Sequence, residues 1–327
     1  MKLMVGVNLG VGGLPAIDLP SDRVPTWEED KVTALSAALA DAKDRGVDAC
    51  VLAGGLFARG FVAQGLLTKT MAAAGACGVP VSYVPLPGEL ADASDRMPSV
   101  DGVTVVMPST EGAFEISMGE GAPSISICDE SGLDGVDEVT RPEGPVALVR
   151  SEDDIAVSLN DGRQLKRLGP LAPSGFGEGL RSGYMIVSVD GECASAEWVD
   201  AATHPFVVRE VELEGLESSR ELVTTVGEAV KDIDRNACVR IELTGRIPLD
   251  VYINTSELAS QLERYFFYVE VADGCELDID VADLETDVSL LAEFVRQVVG
   301  DDSLSETEKT RVLRCGWNVL NGKEPTE

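Results

Sequence analysis

The first 86 residues alternate between two apolar periodicities, and this alternation constrains the fold more than any other feature. Residues 2–9 (KLMVGVNL), 49–54 (ACVLAG) and 81–86 (VSYVPL) are continuous apolar, β-prone runs. Runs of this length without polar alternation predict strands buried on both faces. Two helical patterns separate them. The first carries Val32, Leu35, Leu39 and Ala42 on one face. It opens beside Trp27, where Thr26 and Glu29 have capping-box spacing, and closes at Gly46. The second covers about residues 61–77 and ends near Gly78. Strand, helix, strand, helix, strand with short joints predicts a parallel α/β sheet.

The pattern changes beyond residue 100. Short apolar runs at 103–107, 112–116, 124–128, 145–149, 154–159 and 184–189 are split by Gly, Pro and acidic loops, which predicts a second sheet layer. FVVREVEL (206–213) alternates like a half-buried strand. Helical stretches at 216–231 and 256–265 then alternate with apolar runs at 239–245 and 266–271, predicting a small α+β domain over about 205–280. Two helices close the chain. Val288, Leu291, Phe294, Val295 and Val298 face one way on the first. Ser305 and Glu308 cap the second, which carries Val312, Leu313, Trp317 and Leu320. The last residues, 321–327, are expected to fray.

Composition narrows the classes of function. Of 327 residues, 57 are Asp or Glu and 26 are Lys or Arg, a formal net charge of -31. Such a surface repels phosphate, so strong direct nucleic-acid binding and an anionic membrane surface are both disfavoured. The seven cysteines form no C-x-x-C pair and read as reduced thiols. A single histidine, His204, excludes a His-rich metal centre. Preceding Pro205 at a strand start, it reads as a structural or surface histidine and not a catalytic one. MKLMVGVNLG lacks a basic region before a long apolar run, and no apolar stretch reaches spanning length, so the expected location is the cytoplasm.

Two glycine-rich segments invite a site. In GVNLGVGG (6–13) the glycines miss the G-x-G-x-x-G spacing, and a proline-containing loop follows where a phosphate-binding helix would have to start. A strand-end loop is the favoured reading, with a nucleotide-binding module as a lesser one. Ser174 and Ser182 in the second segment have no histidine base in sequence reach, which argues against a serine nucleophile.

The order of MKLMVGVNLGVG, LAGGLFARG (52–60), PLPGELADASDR (85–96) and LGPLAPSGFGEGLRSGYMIVSVDG (168–191) resembles the SbcD-type and YhaO-type DNA-repair nucleases of the calcineurin-like metallophosphoesterases. THPFVVREVEL (203–213) and VRIELTGRIPLD (239–250) resemble that family's capping domain. The resemblance implies a two-layered β-sandwich flanked by helices, a small α+β capping domain and C-terminal helices. Its boundaries fall at 1–202, 203–282 and 283–327.

It also implies two bridged metal ions, Mn²⁺ or Mg²⁺, that polarise a phosphodiester. Against the family's ligand motifs the chain departs at nearly every position. Asn8 and Gly10 stand in the first motif, Gly55 in the second, Glu89 and Leu90 in the third, and Arg150 and Glu152 in the fourth. Gly, Leu and Arg do not ligate a divalent metal, and a neutral Asn carbonyl is a poor substitute for a bridging carboxylate. The expectation is therefore a degenerate, non-enzymatic member with no cofactor, serving as a binding or structural subunit. The competing expectation is a phosphodiesterase or nuclease with a carboxylate-only site built from Glu89, Asp92, Asp95 and Glu152. The resemblance further implies a homodimer and a coiled-coil ATPase partner, SbcC-like or YhaN-like. That partner is expected to dock on the C-terminal helices through Phe294, Val298, Val312 and Trp317.

Overall fold

The computed structural model describes residues 1–58, 60–86, 89–90, 94–107, 113–116, 125–129, 146–150, 164–178, 181–190, 193–201, 203–216, 219–248, 251, 253–278 and 288–320. The chain divides into two compact units, Met1–Phe206 and Val207–Glu327. The apolar run at 154–159 and the tail at 321–327 lie outside the described residues.

The first unit is built on the expected α/β alternation. Strands β1 (Lys2–Gly6), β2 (Ala49–Ala53), β3 (Val81–Val84) and β4 (Val103–Val105) pair in parallel, in that order. Strand β9 (Gly183–Asp190) adds antiparallel to β1, and β10 (Cys193–Asp200) antiparallel to β9, giving the order β10-β9-β1-β2-β3-β4. Helix α1 (Val24–Asp44) lies between β1 and β2 in the chain, and α2 (Gln64–Gly75) between β2 and β3.

Both faces of this sheet are buried, as the continuous apolar runs predict. Met4, Cys50, Leu52, Val81, Tyr83, Tyr184 and Ile186 pack with Leu35, Leu39 and Ala42 of α1 and Leu67 and Met71 of α2. The alternate residues Leu3, Val5, Val51, Ala53, Met185 and Val187 form a second cluster on the opposite face. That cluster takes in Leu168, the last residue of β8 (Gln164–Leu168). β8 belongs to a separate four-stranded sheet with β5 (Ala113–Ile116), β6 (Ile125–Asp129) and β7 (Val146–Arg150), in the order β5-β6-β7-β8. Of the short apolar runs expected in a second layer, those at 112–116, 124–128 and 145–149 lie in this sheet, whereas 103–107 and 184–189 supply β4 and β9 of the first sheet, pairing with β3 and β1.

Helix boundaries differ from the sequence reading. Helix α1 begins at Val24, with Arg23 in the N-cap position and no side-chain cap. Pro25 explains the shift: its fixed φ suits the first turn, and its missing N–H is no loss there. Thr26 therefore sits inside the helix and does not cap it. The other end follows expectation, with Gly46 at a φ of 74° after the last turn.

In the second unit, β11 (Phe206–Glu212) opens a three-stranded sheet at the unit boundary. Its order is β11-β12-β14, with β12 (Cys238–Thr244) and β14 (Tyr268–Asp273) parallel. Helices α3 (Ser219–Ala229) and α4 (Thr255–Leu262) enclose a core of Val226, Val239, Ile241, Leu243 and Leu258. Strands β13 (Arg246–Pro248) and β15 (Glu276–Asp278) make a small parallel pair. Two helices follow, α5 (Leu290–Val299) and α6 (Glu306–Leu320). Ser305 and Glu308 exchange hydrogen bonds at the start of α6, the capping box expected from their spacing. Arg314 of α6 ion-pairs with Asp273 and donates to the Cys275 carbonyl at 2.8 Å, fastening the helix to the β14–β15 turn.

Two features of the first unit make its stability testable. Where β9 begins, opposite the last residue of β10, a Cβ on Gly183 would lie 2.1 Å from the Val199 carbonyl oxygen. Backbone cannot yield cheaply, so Gly183→Ala is expected to cost about 2–3 kcal/mol in urea denaturation. The second feature joins α1 to β9. The Tyr184 hydroxyl donates to Asp41, which also pairs with Arg45 at 2.9 Å. The Tyr184 bond chiefly, then Arg45, holds the Asp41 carboxyl below its ordinary value. A carboxyl so lowered contributes stability above its unfolded-state pKa and loses it as pH falls through the folded one. Tyr184→Phe should therefore lower the urea midpoint at pH 7, and the gap from wild type should narrow as pH falls from about 5 toward 3.

Candidate functional site

The parallel strands β1, β2 and β3 end on one edge of the sheet, where open α/β sheets bind ligands. Their loops run side by side. Asn8 N–H donates to Gly54 O at 2.9 Å, Gly10 N–H to Gly55 O at 2.8 Å and Val11 N–H to Leu56 O at 3.0 Å, so the β1–β2 pairing outlasts both strands. This close run requires left-handed backbone on each side. Asn8, Gly10, Gly54 and Gly55 all have positive φ, and Asn8 at 51° is the one non-glycine that does so among the described residues. Asn tolerates this region better than other side-chain-bearing residues. The turn after Gly6 also ends β1 three residues short of the apolar run in the sequence.

Glu89 closes the edge from the β3 side. It is 2% exposed. Its Oε1 accepts from Phe57 N–H at 2.9 Å and the Tyr83 hydroxyl at 2.6 Å. Its Oε2 accepts from Gly55 N–H at 2.9 Å and Leu86 N–H at 2.7 Å. An ionised carboxylate offers about four lone-pair directions, and here four donors take them. Beside it, burial and the Glu89 charge push the Tyr83 phenol far up, so that it remains a donor.

The other positions of the implied metal site are filled or lack donors. A Cβ on Gly55 would lie 2.4 Å from the Asn8 Oδ1, so an aspartate there would collide with Asn8. Leu90 is buried in the apolar cluster beneath α1 and α2. A Cβ on Gly10 would come within 3.1 Å of the Lys31 Nζ. Asn8, Gly10, Gly55 and Glu89 thus do converge, but as a hydrogen-bonded, packed edge. Asp95 is exposed on a short 3-10 turn, Ser94–Arg96. Arg150 ends β7, opposite Leu168 in the ladder. Asp92 and Glu152 lie outside the described residues. Among the described residues, no three His, Cys, Asp or Glu gather as a metal site would require. The donors among the described residues therefore do not fit a bridged pair of metal ions.

Lys31 is the residue that sequence reasoning missed. It is 3% exposed on the core face of α1. Its Nζ lies 2.7 Å from Ser174 Oγ, 3.3 Å from Gly10 O and 5.4 Å from the centroid of the Trp27 ring. The signal was present: positions 27, 31, 35, 38 and 42 form one helical stripe, and Lys31 is its one charged member. Ser174 is held in place by its own carbonyl, which accepts from Ala16 N–H at 2.7 Å. Gly175 permits that approach, since a Cβ there would lie 2.8 Å from the Ala16 Cβ. A small pocket of about 20 Å³ opens beside Lys31, walled by Trp27, Ala34, Ala172 and Pro173 and rimmed by Thr203 and His204. His204 bonds Asp30 through Nε2 at 2.8 Å and stacks on Trp27, the structural role its sequence context suggested.

The expected partner face is divided. Phe294 and Val298 pack against α6 around Val295 and Leu313, and a Cβ on Gly316 would lie 2.1 Å from the Phe294 ring. These two residues are turned inward, because the apolar stripe of α5 is covered by its neighbour. Trp317 is half-buried. Val312, 38% exposed, stays on the surface with Val319 and Leu320.

No family model and no curated protein matches the chain. Among solved structures, it is similar to Vps29 of Chaetomium thermophilum, crystallised with a cyclic peptide. The identity is 10% and the TM-score 0.31, covering 61% of this chain and 95% of that one. A superposition this loose carries nothing about activity or partners.

The Glu89 network makes a direct prediction. Glu89→Gln puts an amide N–H₂ against at least one buried backbone donor, whichever way it is turned, and should cost about 2–4 kcal/mol in chemical denaturation. Asp95→Asn, on the exposed turn, should change stability by less than about 0.5 kcal/mol.

Proposed function

We propose that the chain is a catalytically degenerate phosphoesterase-fold protein of the SbcD/YhaO-like kind, acting as a binding or structural subunit. The observation that carries this reading is the state of Glu89: the carboxylate in the third ligand position is fully engaged by Gly55, Phe57, Tyr83 and Leu86. A metal could claim it only by displacing buried backbone donors, each costly to orphan. Asn8 over Gly55 and Lys31 at Gly10 support the same reading, since each occupies space that a ligand side chain would need.

The partner we propose is a coiled-coil ATPase, SbcC-like or YhaN-like, in DNA repair. Val312, Val319 and Leu320 on α6 form the exposed apolar face available to it, with Trp317 beside them. The acidic surface suits a protein partner better than bare DNA. A homodimer through residues 1–202 and a capping role for residues 203–282 belong to the same proposal.

Metal retention tests it. After loading with Mn²⁺, Mg²⁺ or Zn²⁺ and desalting, the protein should hold less than about 0.1 equivalent of each, because the donor set is spent. One or two tightly held equivalents would overturn the proposal in favour of a phosphodiesterase with a carboxylate-only site. The docking face is tested separately. Val312→Asp should abolish co-purification with an SbcC-like ATPase while leaving the melting temperature unchanged.

A further inference from the structure

The six-stranded sheet of the first unit has two edges, β10 and β4, and they are guarded differently. A sheet edge presents backbone N–H and C=O groups that recruit another strand unless charge or proline blunts it. On β10, Glu197 and Asp200 stand exposed. Residues 103–107, at the β4 edge, read VTVVM, with no charge and no proline, in a chain of which 25% is charged. The backbone there is open. Val81 N–H donates to Gly102 O and Val106 N–H to Tyr83 O, both at 2.8 Å. Successive residues of a strand alternate in the side to which their N–H and C=O point, so Gly102, Thr104 and Val106 face β3 while Val103 and Val105 face outward. Val103 N–H turns back to Val100 O at 3.2 Å. The Val103 carbonyl and both backbone groups of Val105 have no hydrogen bond among the described residues. The side chains beside them are apolar. Val103 packs on the cluster beneath α1 and α2. Val105, two residues on, lies on the same face and is 38% exposed. Met107, just past the strand, is 69% exposed, and Phe61, ahead of α2, is 77% exposed. Arg96, from the connection between β3 and β4, lies 4.9 Å over the Phe61 ring, donates to Val62 O at 3.0 Å and accepts at its carbonyl from Gln64 at 3.0 Å. That connection is thereby fastened to the start of α2, so the apolar side chains stand on a fixed frame.

We infer that β4 receives an extended segment of a partner protein, one whose apolar residues alternate with lysine or arginine, as a further strand of this sheet. Main-chain hydrogen bonds to Val103 O and to Val105 hold the segment, and apolar side chains on one of its faces cover Val105 and Met107. Charge chooses the partner. Exposed Asp101 stands just before β4, exposed Asp95 lies in the β3–β4 connection, and the formal net charge of the chain is -31. Like charge opposes a second copy at this edge, whereas a cationic segment is attracted to it. The surface is built from other residues than the α6 face, and the inference does not depend on the degenerate-subunit proposal, since it needs neither the state of Glu89 nor an ATPase.

The test titrates the full chain into fluorescein-labelled KVKVKVK peptide at fixed ionic strength and follows fluorescence anisotropy. KSKSKSK, with the same charge and no apolar face, and EVEVEVE, with the charge reversed, are the controls. KVKVKVK should bind at least tenfold more tightly than either. Val105→Pro is the decisive variant: proline removes the outward N–H and takes no bond from the β3 ladder, because Val105 does not face β3. It should weaken KVKVKVK binding at least tenfold and leave the melting temperature unchanged. If Val105→Pro does not fold, Met107→Lys, at an exposed position past the strand, should weaken binding by the same factor. Val312→Asp should leave the affinity unchanged. Sedimentation of wild type and Val105→Pro tests for a second copy. A preference below tenfold over either control would overturn the inference, as would a smaller loss in the folded variant or a loss in Val312→Asp. A wild-type dimer that Val105→Pro dissociates would also overturn it, by giving the edge to a second copy.

Discussion

One buried carboxylate, that of Glu89, answers donors from the β2 loop, the end of β3 and its own turn. The geometry of the sheet edge depends on it. The β2 loop can run against the β1 loop only with Gly54 and Gly55 in left-handed backbone, and such backbone leaves its N–H groups pointing away from the ladder. Gly55 and Phe57 N–H groups would be buried orphans without Glu89. With it, the loop is as firmly held as a strand, and Asn8 is free to lie over Gly55. A network of this kind is costly when one member is missing and rigid when complete.

That satisfaction is also what separates this edge from a metal site. A ligand carboxylate needs a lone pair directed outward at the ion, and its second oxygen is then supported by neighbouring donors. Glu89 has all its neighbours and no outward lone pair. Acidic residues are abundant in this chain, so the count of carboxylates says little. What matters is which of them still have acceptor capacity, and the one at the centre of the edge has none.

The architecture of the first unit was legible because its sheet is buried on both faces. Each strand therefore reads as an unbroken apolar run, and the intervening helices show a 3.6-residue stripe. The ends were less legible, each for a local reason. The run 2–9 stays apolar, but the chain leaves the strand at Gly6 because Asn8 turns to positive φ. Thr26 and Glu29 have cap spacing, but Pro25 starts the helix earlier. On α5, the stripe holding Phe294 and Val298 showed that a face is buried without showing that α6, a few residues on, is what buries it. At the candidate site, resemblance brought Asn8, Gly10, Gly55 and Glu89 to one place, but it could not show that Glu89 is saturated. That depends on Tyr83 and on three backbone N–H groups, which no side-chain pattern displays.

Lys31 shows the same limit from the other direction. A lysine in a helical stripe between Trp27 and Leu35 breaks the binary pattern, and nothing nearby in sequence explains it. Its partners, Gly10 and Ser174, come from loops 21 residues before it and 143 residues after it. A buried amine is tolerated only where acceptors are fixed around it, and both loops are fixed: one by the ladder to Gly55 and Leu56, the other by Ala16 and Val7. The lysine therefore depends on the edge that Glu89 organises. The same edge holds an amine, at the position where a side chain on residue 10 would have stood. Metal chemistry at this edge would need an outward lone pair on Glu89 and empty space at Gly10. Holding the amine needs neither, only that Ser174 Oγ and Gly10 O keep their distance from Nζ.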